Sequence, residues 1–228
     1  MPPTWLTVLA WLSLGAAFLT AGWMLLDTYV RGYRQPMWIM EIVWPVTALY
    51  FGPFAWPAYR RWGRPKTAKW QADHGDPQQK SFPAMTAVGV SHCGAGCTLG
   101  DIIGSWIVFA GGFTLFGAAL LPEYIADYIL AFTLGIVFQY FTIAPMRGLG
   151  LREGIVAALK ADTLSLTAFE VGLFGWMAVI QFVLFPVEHL HPDHAAYWFL
   201  MQIGMVLGYL TSYPMTWWLI RKGYKEAM

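Results

Sequence analysis

The chain has 228 residues, 57% of them hydrophobic and only 12% charged, with 14 Lys and Arg against 13 Asp and Glu and a net charge of +1. A soluble domain carries roughly 25% charged residues, a disordered chain needs low hydrophobicity, a nucleic-acid binder needs a strong basic excess, and a disulfide scaffold needs more cysteines than the two present here. What remains is an integral membrane protein whose first partner is the lipid bilayer and which has no nucleic-acid partner.

A helix needs about 20 mostly apolar residues to cross a bilayer. Residues 1–26 precede the first charge, Asp27, so span one is read at 5–26. It has no basic leading region and its apolar run exceeds a signal core, which favours a retained span over a cleaved leader. Span two falls at 37–59, with Glu41 near its start and Pro45, Pro53 and Pro57 expected to kink it. Residues 60–100 read as a cytoplasmic loop that holds a Cys motif. Spans three and four, at 102–121 and 128–145, carry no charge. Leu151, Ile155, Val156 and Leu159 share one helical face and suggest a short interfacial helix leading into span five. Spans five and six follow at 163–185 and 196–220. The fold class is therefore all-α: one integral membrane domain, 1–228, a polytopic transmembrane helical bundle of about six spans.

Six spans put both termini and the second and fourth loops on one side. Twelve of the 14 basic residues lie there, and only Arg31 and Arg34 lie on the other. Cytoplasmic loops attract Lys and Arg, so both termini are expected in the cytoplasm, in a bacterial cytoplasmic (inner) membrane crossed several times.

Gly135–Met146 and Gly204–Met215 match at six of twelve positions, and their partner segments share Leu-Phe-Gly at 115–117 and 173–175. Two readings stand: a parallel hairpin repeat, as many transporters have, or chance similarity between apolar helices.

The most unusual string is Ser91-His92-Cys93-Gly94-Ala95-Gly96-Cys97-Thr98-Leu99-Gly100-Asp101. Thiolates and a neutral imidazole suit soft or borderline metals, so His92, Cys93 and Cys97, with Asp101 supplying charge, form a candidate site for copper or zinc. Its glycines argue for a loop turning into a helix; the alternative is close packing of small residues. Glu170 falls near mid-bilayer and forms a stripe with Thr163 and Thr167, while Gln139 and Gln202 also lie at depth. Polar groups there cost free energy and mark ion or proton paths. His189, His191 and His194, beside Glu188, cluster in an outer loop that could capture a divalent metal.

The string His92-Cys93-Gly94-Ala95-Gly96-Cys97-Thr98-Leu99-Gly100-Asp101 resembles the signature of a bacterial membrane family called domain of unknown function 4396. Phe138-Gln139-Tyr140, Ile143-Ala144-Pro145-Met146, Lys160 to Thr167, Gly175-Trp176-Met177 and Met201 to Met205 resemble it too, over about residues 85–225. The resemblance implies membership without an activity. The residues themselves favour binding or translocation of a soft metal ion. The alternatives are a thiol-dependent membrane oxidoreductase using Cys93 and Cys97, or a non-catalytic subunit, either a homo-oligomer or the companion of another membrane protein.

Overall fold

The computed structural model describes residues 2–116, 119–186 and 189–227. The described elements are helical, as the composition requires. α1 spans Thr4–Leu25 and widens into a π-type turn over Leu26–Val30. α2 spans Met40–Phe51, breaks into a 3₁₀ turn over Gly52–Phe54, resumes as α3 over Ala55–Ala58, and loosens again to Lys66. α4 covers Ala68–His74. Four long helices follow: α5 Phe82–Gly111, α6 Leu120–Arg147, α7 Leu151–Val179 with a wide turn to Leu184, and α8 Ala195–Arg221.

Among the described residues four helices are long and apolar enough to cross a membrane: Thr4–Val30, Phe82–Gly111, Leu120–Arg147 and Leu151–Leu184. α8 has comparable length, 27 residues, but Gln202, Thr211, Ser212 and Pro214 lower its hydropathy. The segment expected as span two does not cross: it folds back on itself, so that Trp44 packs on Tyr59 and Arg64 returns to 3.6 Å from Asp27, which puts Arg31 at the same end of the bundle as the second loop rather than opposite it. Pro45 is accommodated inside α2, and the interruption comes at Gly52-Pro53, where Gly52 takes φ +57°. A proline lacks the N–H that would continue the helix, and only glycine tolerates that φ without strain.

Three sequence boundaries are corrected. The expected loop at 60–100 ends at Ser81: α5 begins at Phe82, and the Cys motif lies in the middle of a 30-residue helix. The third apolar helix accordingly runs 82–111 rather than 102–121. Glu123 and Asp127 belong to α6 and are buried in it, not in a loop before it. The expected interfacial helix at 151–160 is continuous with the one that follows. The α6 boundary shifts because acidic residue types need not mark the membrane surface: Glu123 and Asp127 are buried.

α5 is the central helix, packed against α2, α6, α7 and α8; α1 covers α2 and α8 from outside. The glycines of the Cys motif make that centrality possible. Gly96, Gly100 and Gly104 stand one turn apart and meet Gly135, Ala131 and Asp127 of α6 in descending order. A Cβ at Gly100 would fall within the contact radius of the Ala131 backbone. This is small-residue packing between antiparallel helices. It explains why a glycine-rich string that reads as loop is helix. α7 and α8 cross equally closely at Gly172 and Gly208. Outward-facing Trp5, Trp11, Leu12, Phe18 and Leu19 of α1 remain exposed, an apolar surface suited to lipid.

Candidate functional site: a buried polar column

Cys93, Cys97, Asp101 and Ser105 recur every four residues of α5, so one face of the helix carries all four. All are fully enclosed. The cysteines are free thiols. Around this face the bundle gathers further polar groups. Glu170 of α7 lies within electrostatic reach of both Cys97 and Asp101. Asp127 of α6 rests against Gly104, in the space a side chain there would fill. Asp101 stands near both Glu170 and Asp127. The carboxyl oxygens of Asp101, Asp127 and Glu170 have no hydrogen-bond partner among the described residues.

The column continues at both ends. Toward the start of α6, the Tyr197 hydroxyl donates to Ser105 Oγ at 2.9 Å. Glu123, one turn before Asp127, borders a cavity of about 20 Å³ shared with Tyr197 and Met201. That is room for a single water. Toward the start of α7, Ser165 Oγ lies 3.9 Å from Cys93 Sγ and 3.0 Å from Asp162 Oδ1. There the C-terminal tail folds back. Lys225 Nζ donates to Asp162 Oδ1 at 2.6 Å and to Ser165 Oγ at 3.0 Å. Both side chains of this ion pair are wholly buried. Cys93 to Ser105 alone spans about 18 Å at 1.5 Å per residue, over half the roughly 30 Å thickness of a hydrocarbon core.

The structure divides the expected metal set. Cys93, Cys97 and Asp101 face the column, but His92 is turned to α6, where Nε2 lies 2.8 Å from Thr142 Oγ1 and the ring meets the Phe138 edge. One residue of helix is 100° of rotation, enough to separate the imidazole from the thiols. Among the described residues no group of three or more His, Cys, Asp or Glu is arranged to hold a metal. The expected path residues divide too. Glu170 is in the column. Thr163 and Thr167 are half-buried and bond back to carbonyls of their own helix, Thr167 also meeting Tyr128. Gln202 ties helices together, donating to the Leu49 carbonyl and accepting from Ser13. Gln139 is enclosed and its amide is unpartnered. Glu41 is held by a two-pronged Arg34 contact at 2.7 and 2.9 Å. The outer histidines do not converge: His189 contacts the Phe185 carbonyl, His191 lies beside Phe109, and His194 pairs with Asp193 at 3.9 Å. Glu188 lies outside the described residues.

Sequence reading missed Glu123, Asp127, Asp162, Ser165, Tyr197 and Lys225. The Glu123–Asp127 spacing, one helical turn, was a usable signal. Nothing in the sequence places Lys225 inside.

Fold and column together define a helical protein of membrane-crossing composition with an ionisable interior. The family described as Domain of unknown function (DUF4396) matches residues 84–225, well over half the chain, and the protein belongs to that family. The matched region holds every column residue, from Cys93 to Lys225, and leaves α1 and the whole broken α2 arm outside. No curated protein and no solved structure matches the chain.

Proposed function

We propose that this protein carries a small cation, in the first instance a proton, through its interior across a bacterial cytoplasmic membrane. One observation carries the reading: Asp101, Asp127 and Glu170, from three different helices, are enclosed together and lack hydrogen-bond partners. A buried, unpaired carboxylate costs several kcal/mol. Each must therefore hold a proton or share a cation, and groups that share one within reach of each other can pass it on. In this reading Glu123, beside its water-sized cavity, receives the cation at one end. Asp127, Asp101 and Glu170 hand it along. Asp162 releases it at the other end, where Lys225 now occupies the place of a cation. In this reading the end bearing Asp162 and Lys225 faces the cytoplasm, because the basic residues gather at the end where α5 starts, Arg31 included, whose carbonyl accepts from Lys69 Nζ at 2.6 Å.

The test uses purified protein in liposomes with an internal pH dye and a potassium-diffusion potential. Wild type should acidify the lumen, and Asp101→Asn and Glu170→Gln should each slow this at least ten-fold. Wild-type vesicles that behave like empty ones would end the proposal.

A soft-metal cargo, copper or zinc, is the second reading. It is favoured by Cys93, Cys97 and Asp101 sharing one enclosed face, without His92. Metal content of the purified protein against Cys93→Ser/Cys97→Ser decides it: equal, near-zero metal in both removes this cargo.

A further inference from the structure

A second polar feature lies away from the column, at the basic end of the bundle. Between the last turns of the broken α2 arm, α4 and the start of α5 is a cavity of about 540 Å³. Arg61, Lys66 and Lys80 line it, with Trp62 and Trp70, and no carboxylate does. Their basic neighbours are otherwise engaged: Arg64 approaches Asp27 at 3.6 Å, and Lys69 donates to the Arg31 carbonyl at 2.6 Å. Arg61, Lys66 and Lys80 have no such partner among the described residues. Asp73 and Asp76, the acids of the same segment, are exposed and stand outside the cavity wall. Burial, with the nearby Lys66 ammonium, pushes Lys80 down to about 8. An ammonium so placed gains from any anion that enters. The start of α5 adds to this, since Ser81 and Ala84 line the same cavity and the first turn carries no acidic residue.

We propose that this cavity binds a phosphate-bearing anion. Three cations lining one cavity without a counter-charge are the chemistry that recognises phosphate oxygens. Two tryptophans beside them suit the headgroup level of a bilayer. Basic pockets at the cytoplasmic ends of membrane helices take up anionic lipid headgroups in this way. The shared ligand chemistry is the phosphate group, whether from a phospholipid or free in solution. The site is independent of the cation route and stands or falls separately from it.

Native mass spectrometry of the full chain in detergent tests it, with phosphatidylglycerol, phosphatidylcholine and inorganic phosphate in separate arms. Wild type should bind phosphatidylglycerol or phosphate, and Lys66→Gln/Lys80→Gln should bind it at least ten-fold more weakly, with phosphatidylcholine unchanged. Retention of phosphatidylglycerol alone identifies a lipid headgroup; displacement of it by inorganic phosphate identifies a free phosphate site. Lys80→Arg should keep the binding. Arg152→Gln/Lys160→Gln removes equal charge from another basic surface and should leave it intact. Equal binding by wild type and Lys66→Gln/Lys80→Gln, or equal loss in the Arg152→Gln/Lys160→Gln control, would overturn the assignment.

Discussion

The Lys225–Asp162 pair gives the sharpest energetic prediction. Lys225 sits on the seven-residue tail after α8, which turns back at Gly223, φ +74°, and its ammonium is enclosed beside Asp162 and Ser165. Lys225→Met keeps the apolar stem and removes the charge. Breaking one partner of a buried ion pair costs about 3–5 kcal/mol, because the other is left uncompensated. Ser165 Oγ still reaches Asp162 Oδ1 at 3.0 Å, which places the expected loss near the lower bound, about 3 kcal/mol. Lys225→Met/Asp162→Asn removes both charges and should recover most of that loss. The exposed Arg147–Glu226 pair anchors the same tail, yet Arg147→Ala should cost no more than about 1 kcal/mol, since solvent screens it. Unfolding by sodium dodecyl sulfate in mixed micelles, followed by circular dichroism, measures all four proteins. A Lys225→Met loss below about 1 kcal/mol, or a double variant no more stable than Lys225→Met, would refute the buried-pair account.

Gly100→Ala should destabilise by about 1–3 kcal/mol through overpacking against Ala131, while Gly15→Ala on α1, where a Cβ meets nothing, should be neutral or gain up to about 1 kcal/mol; the same unfolding assay compares them. His92→Ala should lose about 2–4 kcal/mol from its Thr142 bond and packing and leave the metal content of the purified protein unchanged. Lys80 should react with an amine-acylating reagent with half-maximal rate near pH 8, because a lowered pKa frees the amine on the alkaline side of that value, and bound phosphate should shift the midpoint upward. Titration of Lys80 above pH 10, with the ordinary lysines, would contradict its placement.

The helical class was legible from composition alone, because apolar content and scarce charge follow directly from a lipid solvent. Element boundaries were legible only where charge and surface coincide. Span six, 196–220, differs from α8 by one residue at each end, since its flanking polar residues do lie outside. The Cys motif failed for the opposite reason. Three glycines in seven residues, Gly94, Gly96 and Gly100, carry a helix-breaking propensity, but Gly96, Gly100 and Gly104 are on one side of α5, and that side is where α6 approaches. Tertiary contact offsets the propensity, and a single sequence does not show which neighbour will supply it. The approach of the C-terminal tail to Asp162 is of the same kind, set by a chain reversal 63 residues away.

The misplaced α6 boundary and the candidate site share a physical origin. Reading Glu123 and Asp127 as a loop assumed that carboxylates avoid the interior, which holds for a bundle whose interior is only packing. Here the same two residues are turned inward on α6, and Asp101 of α5 comes near the second of them, Asp127. Folding such a chain requires that these carboxyls enter without full charge, so cations must accompany them inside. At the Asp162 end the chain supplies its own cation, Lys225. At Asp101, Asp127 and Glu170 it supplies none. That asymmetry locates the exchangeable part of the column at its middle, and it makes Asp101→Asn and Glu170→Gln selective: in both, an amide replaces a carboxyl that no lysine or arginine had paired, so cation movement should fall while the fold keeps its charge balance.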